Sequence, residues 1–238
     1  INEHVPETVT IAGTKTWNEL DLSSRPQYIT VNLYADGVKI DSRISNEDNG
    51  WTWNFGELPK FKAGKLINYT IDEDIVPGYV SVPNGFDITN DQVNASISKK
   101  SITGSKELAG ATLKVVKINN DGTETLIDKW ESNGKTHMVY GLADGTYKLI
   151  EETAPKGYVV AEEVTFKVVK GAIVNQPGNS LTMLDKPTDV TITKTDITGS
   201  KELDGAHLQL FDSAGTLVEE WDSDSTQPHQ IVAKLAAG

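Results

Sequence analysis

The stretch YKLIEETAPKGY, residues 147–158, decides the fold. Side chains of an extended chain alternate between two faces, so Tyr147, Leu149 and Glu151 share one. The company of Tyr and Leu makes that face the inward one, and a glutamate is thereby aimed into a hydrophobic core. A second stretch, YTIDEDIVPGY (69–79), repeats the pattern with Tyr69, Ile71 and Glu73. In both, the glutamate stands four residues before a proline that leads into Gly-Tyr.

Working outward, the chain is repetitive. KKSITGSKELAGATLKVV (99–116) returns as KTDITGSKELDGAHLQLF (194–211), and KWESNGKTHMVYGLADG (129–145) returns more loosely as EWDSDSTQPHQIVAKLAAG (220–238). The opening TVTIAGTKTW is a distant echo of DVTITKTD. Three units are expected, 1–93, 94–187 and 188–238. The third is expected to be incomplete, because Gly238 aligns with Gly145, just before the glutamate-bearing strand. Short alternating runs such as YITVNLYADG and EVTFKVVKG, closed by Gly or Asn turns, predict an all-β protein with one sandwich per unit. The brief joints NDQVN (90–94) and DKPTD (185–189) predict a semi-rigid rod.

The inward faces carry more charge than a core tolerates cheaply. Lys15 shares a face with Val9, Ile11, Gly13 and Trp17; Lys99 with Ala95 and Ile97; Lys194 with Val190 and Ile192. The closing strands add Asn90 beside Phe86 and Ile88, and Asp185 beside Leu181 and Met183. Asn90 precedes Lys99 by nine residues and Asp185 precedes Lys194 by nine, which marks one joint twice. Burial lowers a lysine pKa and raises that of a glutamate. A neutral amine is a nucleophile, a protonated acid can polarise a carbonyl, and their product with Asn or Asp is an uncharged amide.

The order K-x-[DS]…KELAGA…YxLxExxAPxGY…[ND]KP in units two and three resembles the B-type repeat domains of Gram-positive collagen adhesins and pilins. GTKTW…YTIDEDIVPGY…FDITN in unit one resembles another branch of that family. The resemblance implies tandem reversed-immunoglobulin sandwiches, each with a self-formed Lys–Asn/Asp isopeptide bond promoted by the Glu. The implied triads are Lys15, Glu73, Asn90 and Lys99, Glu151, Asp185. Lys194 is left as a candidate without partners in this chain. The resemblance further implies an extracellular stalk of a cell-wall-anchored adhesin or ancillary pilin. Its partners would be other domains of the same surface protein or pilus, and host matrix reached through a head domain elsewhere. The anchor would not be in this chain, and the crosslinking would be a single self-reaction rather than enzymatic turnover.

Rival readings exist. A slip of register by one residue would put Lys100 or Glu152 inward, and Asn175 is an alternative acceptor. Trp17, Trp51, Trp53, Trp130 and Trp221 could form a sugar-binding platform, but are expected mostly to pack in cores. A ligand-binding adhesive module is therefore the alternative function. A glycosidase would pair two carboxylates, and the inward lysines have no task in that chemistry. The loops SNEDNG and DSDS lack the calcium-loop spacing. His4, His137, His207 and His229 lack metal-ligand spacing, and neither a cofactor nor a metal is expected. The net charge of −12 argues against nucleic acid. No apolar run of 18 residues exists to span a bilayer, and no cysteine is present to staple the units.

Overall fold

The computed structural model describes residues 6–231 and 235. They fold as β-strands, with only two single-turn 3-10 segments among the described residues, Leu22–Ser24 and Pro177–Asn179. Turn chemistry follows the sequence: Asp36 (φ 48°) and Gly37 (φ 80°) supply two left-handed residues that close the hairpin of Tyr28–Ala35 with Val38–Asn46.

Residues 8–92 form two principal sheets. One has the strand order Thr52–Pro59, Thr8–Asn18, Asp87–Gln92, Tyr79–Asn84; the other has Val38–Asn46, Tyr28–Ala35, Tyr69–Glu73. The first and last long strands run parallel, with Lys15 opposite Ile88 and Trp17 opposite Asn90. Between the sheets lie Ile11, Ile29, Val31, Leu33, Trp53, Phe55, Ile71 and Ile88. Burial of such side chains contributes about 1.5–3 kcal/mol each. Gly13 is required by close approach: a Cβ there would stand 1.6 Å from the Phe86 carbonyl oxygen.

Residues 95–187 repeat the plan. One sheet has the order His137–Val139, Ala95–Ser101, Ser180–Pro187, Tyr158–Val159. The other has Glu124–Asn133, Ala109–Ile118, Gly145–Thr153, Val164–Val169, Ala172–Ile173. Tyr147, Leu149, Val168, Leu181 and Met183 are buried, and Tyr147 stacks on Phe166 with centroids 5.3 Å apart. Beyond 188 the described strands are short pairs, Thr191–Ile192 with His229–Gln230 and His207–Phe211 with Leu217–Asp222.

Contacts divide the chain into two compact units, Ile1–Ser96 with Met138–Tyr147 and Phe166–Leu181, and Ile97–His137 with Lys148–Thr165 and Thr182–Gly238. The first unit gathers its later segments because the Leu142 N–H donates to the Val93 carbonyl (3.0 Å) and Gly171 lies against Val80. The expected joint residues Asn90–Gln92 and Asp185–Pro187 belong to strands.

Candidate functional site

In the first sandwich, alternation along three strands brings three polar side chains into the core. Lys15 and Asn90 come from neighbouring strands of one sheet and Glu73, opposite Val31, from the other. Lys15 Nζ donates to Glu73 Oε1 at 2.7 Å, and both side chains are 0% exposed. Burial pulls the Lys15 amine down to about 8, against the opposing pull of Glu73. Asn90 is 0% exposed, and neither its Oδ1 nor its Nδ2 has a hydrogen-bond partner; Glu73 Oε2 has none either. Unpaired buried amide atoms cost about 1–3 kcal/mol each. They persist beside a lysine whose neutral form burial favours.

The second sandwich builds the same arrangement with an acid in place of the amide. Lys99 Nζ lies 2.8 Å from Glu151 Oε1 and bonds Asp185 Oδ1. Glu151 Oε2 accepts from the Ala161 N–H at 2.6 Å, which fixes its carboxyl. All three side chains are buried. Burial, opposed by Lys99 and reinforced by Glu151, pushes the Asp185 carboxyl up to about 6.

The one-residue register slip is excluded. Lys100 points outward to Glu107 (3.6 Å). Glu152 pairs with Lys114 (2.9 Å) and Lys129 (2.6 Å) at the surface, which hold its carboxyl down to about 2. Asn175 is exposed in a left-handed turn (φ 60°), away from the core. Lys194 is half-buried, and its backbone N–H donates to Glu202 Oε2 at 2.9 Å, as that of Lys99 does to Glu107.

The tryptophans divide. Trp53 is core, and Trp17 and Trp51 pack against it, whereas Trp130 and Trp221 stack flat on His137 (4.1 Å) and His229 (4.3 Å). Those histidines also meet Asp128 and Glu219, each at 2.8 Å. His4 lies outside the described residues. No group of three His, Cys, Asp or Glu able to hold a metal occurs among the described residues.

In the first sandwich, sequence reasoning missed two features. Trp17 lies under the Lys15 amine, 4.9 Å from ring centroid to Nζ; the i, i+2 spacing of Lys15 and Trp17 was the available signal. The loop after the first strand forms a polar lid: Tyr79 donates to Glu19 at 2.6 Å, Arg25 bonds Glu19, and Gln92 Nε2 donates to Ser24 at 2.8 Å. Burial and Glu19 raise the Tyr79 phenol to about 12.

Two family models match this chain. The Cna protein B-type domain covers residues 11–91 and the SpaA prealbumin-like fold domain covers 93–178. The chain thus belongs to the B-type repeat domains of Gram-positive surface adhesins and pilins. Among its relatives is the collagen adhesin of Staphylococcus aureus, 32% identical over 174 residues, 66% of this chain and 14% of that protein. The pilus tip adhesin Cpa of Streptococcus pyogenes is 43% identical over 77 residues, 31% of this chain and 11% of that protein. The chain therefore spans a small part of the curated relatives it matches. Among solved structures, the pilus adhesin SpaC of Lactobacillus rhamnosus GG, in an open conformation, has the same fold. The TM-score is 0.58 at 18% identity, over 98% of this chain and 35% of that one. No described helix is long and apolar enough to cross a membrane.

Proposed function

We propose that this chain is a stalk segment of a cell-wall-anchored adhesin or ancillary pilin whose sandwiches crosslink themselves, Lys15 to Asn90 and Lys99 to Asp185. The buried lysine paired with a glutamate of the facing sheet, with an amide or acid on the neighbouring strand of its own sheet, carries this reading. Sheet membership supports domain boundaries near 93 and 187, since no principal sheet mixes residues from both sides of either position.

In the first sandwich, Lys15 passes a proton to Glu73 and its neutral Nζ attacks Asn90 Cγ. Glu73 hands that proton to Nδ2, the Cγ–Nδ2 bond breaks and ammonia leaves, and Glu73 takes the second proton from Nζ, so that a neutral amide and a protonated Glu73 remain. In the second, Lys99 attacks the Asp185 carboxyl in its protonated form and water leaves. Each reaction runs once, which separates it from turnover. The product amide is uncharged and ends the cost of holding a lysine in the core.

The bond joins the first strand of each sandwich to the last, closing loops of 75 (90 − 15) and 86 (185 − 99) residues. By the loop-entropy treatment of crosslinks, each contributes about 4.5 kcal/mol. A pull along the chain loads the amide before the sheets can separate. Cell-surface location, assembly with other domains of the same protein and matrix binding by a separate head are part of this reading. Single-molecule stretching tests it. Extension should never release the residues between Lys15 and Asn90 or between Lys99 and Asp185. Release of either loop at forces that unfold ordinary sandwiches would refute the stalk reading.

A further inference from the structure

The two sandwiches differ at one sheet edge. In the first, the closing strand Asp87–Gln92 is covered along its outer side by Tyr79–Asn84, in register from Tyr79↔Gln92 to Asn84↔Asp87. In the second, the corresponding cover is Tyr158–Val159, and it pairs only with Pro187 and Lys186. The chain then leaves through 160–163 and joins the other sheet at Val164. Among the described residues, none pairs with the outer side of Thr182 to Asp185, whereas the first sandwich supplies Ser81–Asn84 at the equivalent place. Among the described residues, the outer edge of the second closing strand is therefore open over those four positions.

The Asp185 carbonyl accepts from the Ile102 N–H, so its backbone faces the neighbouring inner strand. Backbone groups alternate sides along a strand, which turns the N–H and C=O of Thr182 and Leu184 toward the open edge. Beside that edge is a groove of about 520 Å³. Its walls include Val159 (51% exposed), Val160 (45%) and Leu184 (49%), all large for solvent-facing positions. Only Glu162 and Lys186 among its lining residues are charged, and they are of opposite sign.

We propose that the open edge at Thr182–Asp185 is a docking site for one extended, uncharged segment of another polypeptide, which adds as a strand with aliphatic or β-branched side chains at alternate positions. The first sandwich shows the occupant's form, because its own Ser81–Asn84 fills the equivalent place. Main-chain hydrogen bonds to Thr182 and Leu184 would supply affinity and the valine-lined groove selectivity. An unoccupied edge of this kind is one that proteins otherwise cover or charge. The site is independent of the crosslinks, although Ala161, in its wall, also holds Glu151.

The test is a titration of the full chain, labelled with nitrogen-15, with the peptide acetyl-TVTVT-amide, following backbone amide resonances. Saturable shifts confined to 160–164 and 182–186, with none at 87–92, are expected. Leu184→Pro removes an edge donor and should weaken binding by about tenfold. Leu184→Lys, at a half-exposed position, should weaken it without loss of the fold. Absence of shifts at millimolar peptide, or equal shifts in both variants, would overturn the proposal. So would self-association of the chain through this edge in the absence of peptide, which would make the occupant a second copy.

Discussion

The two buried sites share a lysine and a glutamate and differ in the third group. In the first, Lys15 and Glu73 neutralise one another at 2.7 Å and Asn90 adds no charge. In the second, Lys99 faces two carboxylates, Glu151 and Asp185, so the ionised site carries a surplus negative charge. A buried surplus charge is expensive, and the cheapest remedy is a proton. Burial first, and Glu151 after it, raise the Asp185 carboxyl to about 6, so the site takes up that proton below about pH 6. In the proposed reaction the identity of the acceptor therefore sets the leaving molecule, and it also sets the charge the site must hold before reaction.

Deleting the glutamates should break this comparison most strongly. Glu151→Ala leaves Lys99 its Asp185 partner, so the loss is chiefly that of the crosslink, about 4.5 kcal/mol. Glu73→Ala leaves Lys15 beside neutral Asn90 only, adding about 3–5 kcal/mol for a buried charge without a partner. Both variants should retain the crosslink of the other sandwich. Thermal unfolding should then show the larger fall for Glu73→Ala; equal falls would mean that Asp185 does not compensate Lys99.

Gly13→Ala comes next. Its Cβ would collide with the Phe86 carbonyl, which cannot move without disturbing the strand that carries Asn90. We expect a loss of about 3 kcal/mol or more in the first sandwich and none in the second. Urea unfolding followed by Trp53 fluorescence would read it, and an unchanged midpoint would show that the two strands can separate freely.

pH should move the two sites in opposite directions. In a chain not yet crosslinked, unfolded Lys15 holds its proton up to its ordinary 10.5 and folded Lys15 only to about 8. Stability from this group therefore rises with pH between those values. Folded Asp185 keeps a proton up to about 6 and unfolded Asp185 only to its ordinary 3.8, so its contribution falls as pH rises through that window. Formation of the first bond should accelerate as pH approaches about 8, and formation of the second should slow above about 6. Asp185→Asn should convert the second profile into the first. Timed mass spectra of freshly synthesised chain would measure both rates; a second profile unchanged by Asp185→Asn would assign the acid limb to another group.

The smallest effect is expected at Glu152, whose ion pairs with Lys114 and Lys129 lie at the surface. Exposed pairs of this kind add little, and Glu152→Gln should leave both crosslinks intact by mass. A lost crosslink would place Glu152, not Glu151, in the reaction.

The inward placement of Lys15, Glu73, Asn90, Lys99, Glu151 and Asp185 was legible in the sequence because a strand has a period of two and the repeat shows the same order twice. Tyr147, Leu149 and Glu151 had to share a face, and so did Lys99 with Ile97. The nine-residue spacing of Asn90 to Lys99 and Asp185 to Lys194 reflects one closing strand followed directly by one opening strand. The lid of Glu19, Arg25, Tyr79 and Gln92 was not legible, since it joins a loop to strands 60 and more residues away and no periodicity encodes that. The flat stacks of Trp130 on His137 and Trp221 on His229 escaped for a related reason. Each joins strands whose relative placement depends on a turn between them, and alternation alone reads tryptophan as core.

Intact-mass spectrometry of the purified chain tests the central claim most directly. One Lys–Asn bond removes about 17 Da and one Lys–Asp bond about 18 Da, so the chain should be about 35 Da lighter than its sequence. A third deficit is not expected, because Lys194 is proposed to remain a free amine. Digestion should then yield branched peptides joining Lys15 to Asn90 and Lys99 to Asp185. A mass equal to that of the sequence would contradict self-crosslinking in both sandwiches.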